Sequence, residues 1–203
     1  MAELAEIKQE LQARLSSHRY EHTKSVVITA LQFTEAIKAN LKYHTEITGS
    51  FVQRVETAAW LHDCCKELKN DELLTLAEFY GIEIYDEDRQ SPNTLHARVG
   101  AAWAEEEYDI SDPYIINAIR DHTLGSVDMH NISKILYLAD MLEASRDGKS
   151  KSVELERLRK IILEEHDLDK ALLEAMNSKI IYVIKKNQAI HPLSIIARNN
   201  LLR

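Results

Sequence analysis

Residues 135–142 read ILYLADML, an apolar run interrupted by one carboxylate, Asp140. The run lies inside a segment, residues 131–144, that we interpret as a helix. A carboxylate buried in an apolar helix is energetically expensive unless it finds a partner. We therefore expect Asp140 to meet polar groups from other parts of the chain inside a helical core.

Helical spacing of apolar residues extends over nearly the whole sequence. Between Leu4 and Leu15, leucine and isoleucine recur every three or four residues, which is typical of an amphipathic helix. The dipeptide Asp112-Pro113 is a strong helix start, a capping residue followed by proline. The predicted helices cover approximately residues 4–15, 21–41, 50–62, 70–80, 94–104, 113–122, 131–144, 153–164 and 169–186.

Several features exclude a β protein. The chain has only 5 glycines in 203 residues, too few for a fold rich in turns, and no run of alternating strand residues. Residues 82–93 are acidic and polar with one proline, which predicts the longest loop. We predict an all-α fold, a single helical-bundle domain over 1–203, with helices of residues 150–203 packing on the rest.

Composition narrows the functional class. With 45% hydrophobic and 29% charged residues the chain has the balance of a globular protein, and its length is sufficient for a real core. The net charge of −8 argues against nucleic-acid binding. No segment resembles a signal peptide or a membrane span, and the two cysteines, Cys64 and Cys65, are adjacent, which is a poor basis for a disulfide framework. We expect a cytoplasmic protein that does not associate with membranes.

Four histidines are predicted to face the core. They are His22, His62, His96 and His122, and each belongs to a different predicted helix and is flanked by apolar residues at helical spacing. Four separate buried histidines would be costly unless they converge on one site. Histidines and carboxylates that meet in a bundle core are the usual materials of a metal site.

The dipeptide His62-Asp63 is not informative by itself, because it occurs twice. The second copy, His166-Asp167, lies in a charged segment at a helix boundary, which indicates solvated surface. Only the first copy, His62-Asp63, lies at the end of the apolar face of a predicted helix. The remaining histidines, at positions 18, 44, 130 and 191, are expected to be solvated or to be charge partners at helix ends.

Five stretches in order resemble the HD superfamily of metal-dependent phosphohydrolases, and most closely the bacterial YqeK family of symmetrical bis(5′-nucleosyl)-tetraphosphatases. Together they span about residues 15–146, and their order makes the resemblance specific, although each stretch is weak alone. The stretches are Arg19-Tyr20-Glu21-His22-Thr23, Ala59-Trp60-Leu61-His62-Asp63-Cys64-Cys65-Lys66, Leu95-His96-Ala97-Arg98-Val99-Gly100-Ala101, Ala118-Ile119-Arg120-Asp121-His122-Thr123-Leu124-Gly125 and Lys134-Ile135-Leu136-Tyr137-Leu138-Ala139-Asp140-Met141-Leu142-Glu143.

The resemblance implies a helical bundle of the HD type and two divalent metal ions. One ion would be held by His22, His62, Asp63 and Asp140, and the other by His96, His122 and the bridging Asp63. Nitrogen and oxygen ligands without thiolates suit iron, which is our first choice, and also manganese or zinc. The implied reaction is cleavage of diadenosine tetraphosphate into two ADP by a hydroxide that bridges the metals, without a covalent enzyme intermediate.

A polyphosphate substrate also requires positive charge beyond the metals. Lys66 follows Asp63 by three residues and is the first candidate, with a catalytic role beside that of Asp63. Arg19, Arg146 and the hydroxyl of Thr123 are further candidates for substrate binding. An exposed, solvated cation is the alternative interpretation of each basic residue.

Other functions stay open at this stage. A phosphohydrolase of the same superfamily acting on a nucleoside monophosphate or a guanosine alarmone is the nearest alternative. A regulatory module that binds metal and nucleotide but turns over slowly belongs to a different class. The amphipathic first and last helices leave open whether the chain forms a homodimer or packs them within one domain.

Overall fold

The computed structural model describes residues 3–143 and 153–203. All regular secondary structure in these ranges is helical, which confirms the all-α prediction. No helix in them combines the length and apolar composition needed to cross a bilayer. The α-helices are α1 (Leu4–Arg14), α2 (Ser17–Ile37), α3 (Leu41–His44), α4 (Gly49–Leu61), α5 (Asn70–Phe79), α6 (Asp86–Gln90), α7 (His96–Tyr108), α8 (Pro113–Asp121), α9 (Asn131–Leu142), α10 (Val153–Leu163), α11 (Leu168–Lys185) and α12 (Pro192–Asn200), and a 3-10 turn, Pro92–Leu95, precedes α7.

Local sequence explains where several helices begin and end. The Asp112 side chain accepts a hydrogen bond from a backbone N–H in the first turn of α8, and Pro113 is its first residue, as predicted. Gly81 follows α5 with a φ of +64°, a left-handed conformation that glycine adopts without strain. α2 begins earlier than predicted because the Ser16 hydroxyl accepts the backbone N–H of Arg19.

The centre of the fold is α9. It packs against α2, α4 and α8, and α7 packs on α8. The apolar residues of the 135–142 run are buried, as this position requires, except Met141, which is partly buried. The C-terminal helices lie on this core, since α11 packs on α9 and α10 packs on α11 and α2.

The predicted loop over residues 82–93 was wrong, because α6 and part of the 3-10 turn occupy it. Asp88 organises this segment from a fully buried position. Its carboxylate accepts hydrogen bonds from the Tyr85 backbone at 3.0 Å and from the Thr94 hydroxyl at 2.8 Å, and it pairs with Arg98 at 2.5 Å. Asp88 therefore serves internal pairing, whereas Glu83 and Asp86 of the same segment are exposed to solvent.

The sequence also failed to predict α12. His191 caps this helix by accepting the backbone N–H of Leu193 at 3.2 Å, and Pro192 is the first helical residue. His191 is buried, and its Nε2 lies 3.3 Å from an Asp88 oxygen. The expectation of a helix-end charge partner fits this position, whereas the expectation of a solvated side chain does not.

Candidate metal centre

Six side chains converge where α2, α4, α7, α8 and α9 meet. They form two groups, and within each group the ligand atoms lie within 4.8 Å of one another. The first group is His22, His62 and Asp140, and the second is Asp63, His96 and His122. These are the six residues that the sequence singled out as metal ligands.

Asp63 lies between the two groups and turns one oxygen to each. Its Oδ2 is 3.6 Å from Nε2 of His22 and of His62. Its Oδ1 is 3.3 Å from Nε2 of His96 and 3.6 Å from Nε2 of His122. Asp140 completes the first group, with Oδ1 3.2 Å from His22 Nε2.

Three of the histidines are oriented by helix ends. His62 and His122 follow the last residues of α4 and α8, and His96 is the first residue of α7. In each, Nδ1 donates to the backbone carbonyl three residues earlier, at 2.7 Å for His62 and His122 and 2.5 Å for His96. Because a carbonyl only accepts, Nδ1 carries the proton and Nε2 presents a lone pair to the centre.

These lone pairs fit a metal cation. Nε2 of His96 and Nε2 of His122 lie 3.1 Å apart. Because neither nitrogen carries a proton, no hydrogen bond joins them. Nε2 of His62 is buried and has no hydrogen-bond partner. Converging nitrogen and carboxylate donors without a proton between them are compatible with divalent metal ions.

The electrostatics of the buried ligands agree with this role. Burial lowers the pKa of His62 and of His96 to about 4, so both rings are neutral, as metal ligands must be. Burial alone would raise the pKa of Asp63, but the surrounding histidines hold it well below its usual range. For His22, burial alone would lower the pKa, but the carboxylates of Asp140 and Glu143 raise it to about 9. The electrostatic potential at this position therefore favours cations.

The predicted substrate contacts lie around this centre. Arg19 Nη1 is 2.7 Å from Asp63 Oδ2, and Lys66 Nζ is 3.2 Å from both ring nitrogens of His96. The Thr123 hydroxyl is 3.1 Å from Nε2 of His96 and of His122. Arg146, the fourth candidate, lies outside the described residues.

Two residues of the site were not predicted from the sequence. Glu143 is fully buried, and its Oε1 lies 3.1 Å from Nδ1 of His22. Its position three residues after Asp140 was the available signal, since this spacing puts two side chains on one helix face. Lys179, on α11, donates to the backbone carbonyl of Thr123 at 2.5 Å, and no local pattern distinguishes it from a surface lysine.

The second His-Asp copy has a structural role. Asp167 caps α11 by accepting the backbone N–H groups of Asp169 and Lys170, both at 3.1 Å. It is remote in sequence and setting from the six ligands. The prediction that the second copy lies apart from the His-Asp cluster is confirmed, whereas the predicted solvated surface is wrong, because His166 and Asp167 are both half-buried.

Comparison with known proteins agrees with this geometry. The HD domain family matches residues 19–145, which contain all six residues of the two groups. The chain belongs to the HD family. This HD protein is 32% identical to the symmetrical bis(5′-nucleosyl)-tetraphosphatase of Halalkalibacterium halodurans over 197 residues, covering 93% of this chain and 91% of that protein. It is 31% identical to the protein of the same name from Bacillus subtilis, covering 98% of this chain and 95% of the relative.

A solved structure matches the HD protein over its whole length. It is the crystal structure of a predicted HD superfamily hydrolase involved in NAD metabolism from Clostridium acetobutylicum. The TM-score is 0.85 at 30% identity, and the match covers 100% of this chain and 98% of the other. The likeness extends beyond the HD match to the helices after residue 145.

Proposed function

We propose that this HD protein is a two-metal phosphohydrolase that cleaves diadenosine tetraphosphate symmetrically into two ADP. The observation that carries the proposal is the position of Asp63, which offers one oxygen to each of two histidine groups. The names of two relatives that align with nearly the whole chain support the substrate.

Two divalent ions would be held by the six ligands of the centre, with Asp63 shared between them. We propose iron as the resident metal, with manganese or zinc as alternatives, because the donors are imidazole nitrogens and carboxylate oxygens. When bound, such ions lower the pKa of a shared water and neutralise charge on the attacked phosphoryl group.

The chain's own residues would hold and orient the polyphosphate. Lys66, beside His96, would bind a phosphoryl oxygen next to the second group. Arg19 would exchange part of its contact with Asp63 for a phosphate, since guanidinium binds both anions through the same paired N–H groups. The Thr123 hydroxyl would donate a hydrogen bond to the same phosphate chain.

Product analysis tests the proposal. Diadenosine tetraphosphate is incubated with metal-replete protein, with an Asp63→Ala variant and with Asp71→Ala, a control at an exposed aspartate of α5. We expect ADP as the sole product from the parent protein and the control, and none from Asp63→Ala. AMP with ATP would contradict symmetrical cleavage, and no cleavage would favour another nucleotide as substrate.

Compartment and assembly are part of the same proposal. Cys64 and Cys65 are both buried and unpaired, which fits a reducing compartment such as the cytoplasm. Homodimerisation through the terminal helices stays a prediction, and sedimentation velocity of the metal-replete protein tests it directly.

A further inference from the structure

A cavity of about 390 Å³ lies beside the metal centre. Its walls come from α11, from the connection between α11 and α12, and from the segment that contains α6 and the 3-10 turn. Its volume lies near the lower end of the range of small-molecule sites, roughly 300–1,000 Å³. This size suits one nucleoside and not a complete dinucleotide.

The cavity is apolar on one side and polar at its rim. One face of α11 contributes Met176, Lys179 and Val183, which follow one another at helical spacing, the connection after α11 contributes Asn187, and α9 contributes the buried ring of Tyr137. Gln188 adds an amide from the connection to α12. An aromatic ring and a thioether pack well against a planar base, and amides supply donors and acceptors for its edge.

Thr123 joins the cavity to the metal centre. It lines the cavity, and its hydroxyl lies 3.1 Å from Nε2 of His96 and of His122. Lys179 lies at the same junction, where its Nζ donates to the Thr123 carbonyl and is 5.0 Å from the centre of the Tyr137 ring. A phosphate chain that begins in the cavity therefore reaches the second ligand group past a hydroxyl and an ammonium.

We propose that this cavity is a nucleoside subsite that binds one adenosine end of the substrate, with its base between α11 and Tyr137. The identity of the nucleoside rests on the proposed function, whereas the site rests on the cavity and its connection through Thr123. Because the cavity accommodates one nucleoside, the second half of a dinucleotide would have to extend beyond it.

Cavity-filling variants test the subsite. Val183→Trp fills the cavity from α11, and Ala189→Trp fills it from the connection to α12. The control is Ile184→Trp, at an exposed position of α11 that does not line the cavity. ADP binding to metal-replete protein is measured by calorimetry, with metal content and the far-ultraviolet circular dichroism spectrum as checks on the centre and on folding.

We expect both cavity variants to weaken ADP binding about tenfold or more at unchanged metal content, and the control to stay within about twofold. Binding within twofold of the parent protein in both folded variants would overturn the subsite. If the parent protein binds ADP in this manner but does not cleave diadenosine tetraphosphate, the proposed function fails and the subsite stands. If cleavage is intact and its KM is unchanged in both variants, the subsite fails alone.

A measurement on the unsubstituted protein removes any dependence on how the variants fold. Met176 lines the cavity, so its methyl signal is a local probe in methyl-labelled, zinc-loaded protein, where Zn²⁺ is diamagnetic. We expect ADP and adenosine to shift this signal and inorganic pyrophosphate, which lacks a nucleoside, to leave it in place; Met176→Leu assigns it. No shift with saturating ADP would overturn the proposal.

Discussion

The carboxylate of Glu143 lies 3.1 Å from Nδ1 of His22, and both side chains are buried. The other ring nitrogen of His22 faces Asp140, so the ring is held between a carboxylate that orients it and a carboxylate of the ligand group. Such a carboxylate behind a ligating histidine fixes the ring and makes its free nitrogen more basic. We therefore expect Glu143 to act as a positioning residue for the first group of proposed ligands.

Replacing Glu143 with glutamine keeps a hydrogen bond to His22 but removes the charge. We expect Glu143→Gln to weaken metal binding at the first group about 10- to 100-fold, the usual range for such partners. Titration of the metal-free variant with Mn²⁺ checks this. Glu35→Gln, at an exposed glutamate of α2, is the control, and equal Mn²⁺ affinity in both variants would contradict the role of Glu143.

A mutation in one ligand group is expected to remove one metal ion and to leave the other ion bound. His96→Ala removes a donor from the second group alone, so we expect metal content to fall from two ions to one and cleavage to be lost. Elemental analysis and product analysis measure the two effects. His44→Ala, at an exposed histidine, should change neither, and full activity in His96→Ala would refute the assignment of a second ion.

Lys66 is expected to act on the phosphates and not on metal retention. Removing its charge in Lys66→Met should lower kcat on the order of 10²-fold, as for other donors that face developing charge. Metal content should stay constant, because an ammonium is not a ligand. Lys24→Met, at a surface lysine paired with Glu21, provides the matched control, and loss of metal in Lys66→Met would count against this division of roles.

The contacts of Asp88 with Tyr85, Thr94 and Arg98, the Asp88 cluster, are expected to increase the free energy of unfolding. Asp88→Asn leaves Arg98 buried opposite a neutral amide, so we expect a loss of about 3–5 kcal/mol in the free energy of unfolding. Urea unfolding at neutral pH measures it. Glu35→Gln, which alters an exposed pair, should stay within about 0.5 kcal/mol.

The same cluster predicts a pH dependence. Burial would raise the pKa of Asp88, but hydrogen bonds from Arg98, the Tyr85 backbone and Thr94 lower it below its usual value of 3.8. The unfolded chain therefore binds this proton first, so the contribution of Asp88 is complete above pH 3.8 and is lost as the pH falls through the lower folded pKa. The stability difference between the parent protein and Asp88→Asn should shrink over that acidic range; a constant difference would argue against the shift.

The sequence predicted the helical fold and the convergence of six polar side chains for one shared reason, while the role of these side chains as metal ligands stays a prediction. Apolar spacing identified the helices, and polar residues on their apolar faces identified the side chains that have to meet in the core. Asp88 and His191 escaped because each lies in a polar stretch, where burial depends on partners distant in the chain. Lys179 escaped because its role depends on how α11 packs, which no local spacing encodes.

The six proposed metal ligands lie within residues 19–145, which match the HD family, whereas much of the cavity wall comes from α11 and from the connection that follows it. Under the proposals above, metal binding would rest on the first segment, and nucleoside binding would rest on both segments, which meet at Thr123 and Tyr137. Substitutions on the inner face of α11 alter the shape offered to a ligand without touching any metal donor. Under the proposed function, substitutions in the C-terminal helices would therefore change nucleotide preference while the six residues of the proposed metal centre stay constant.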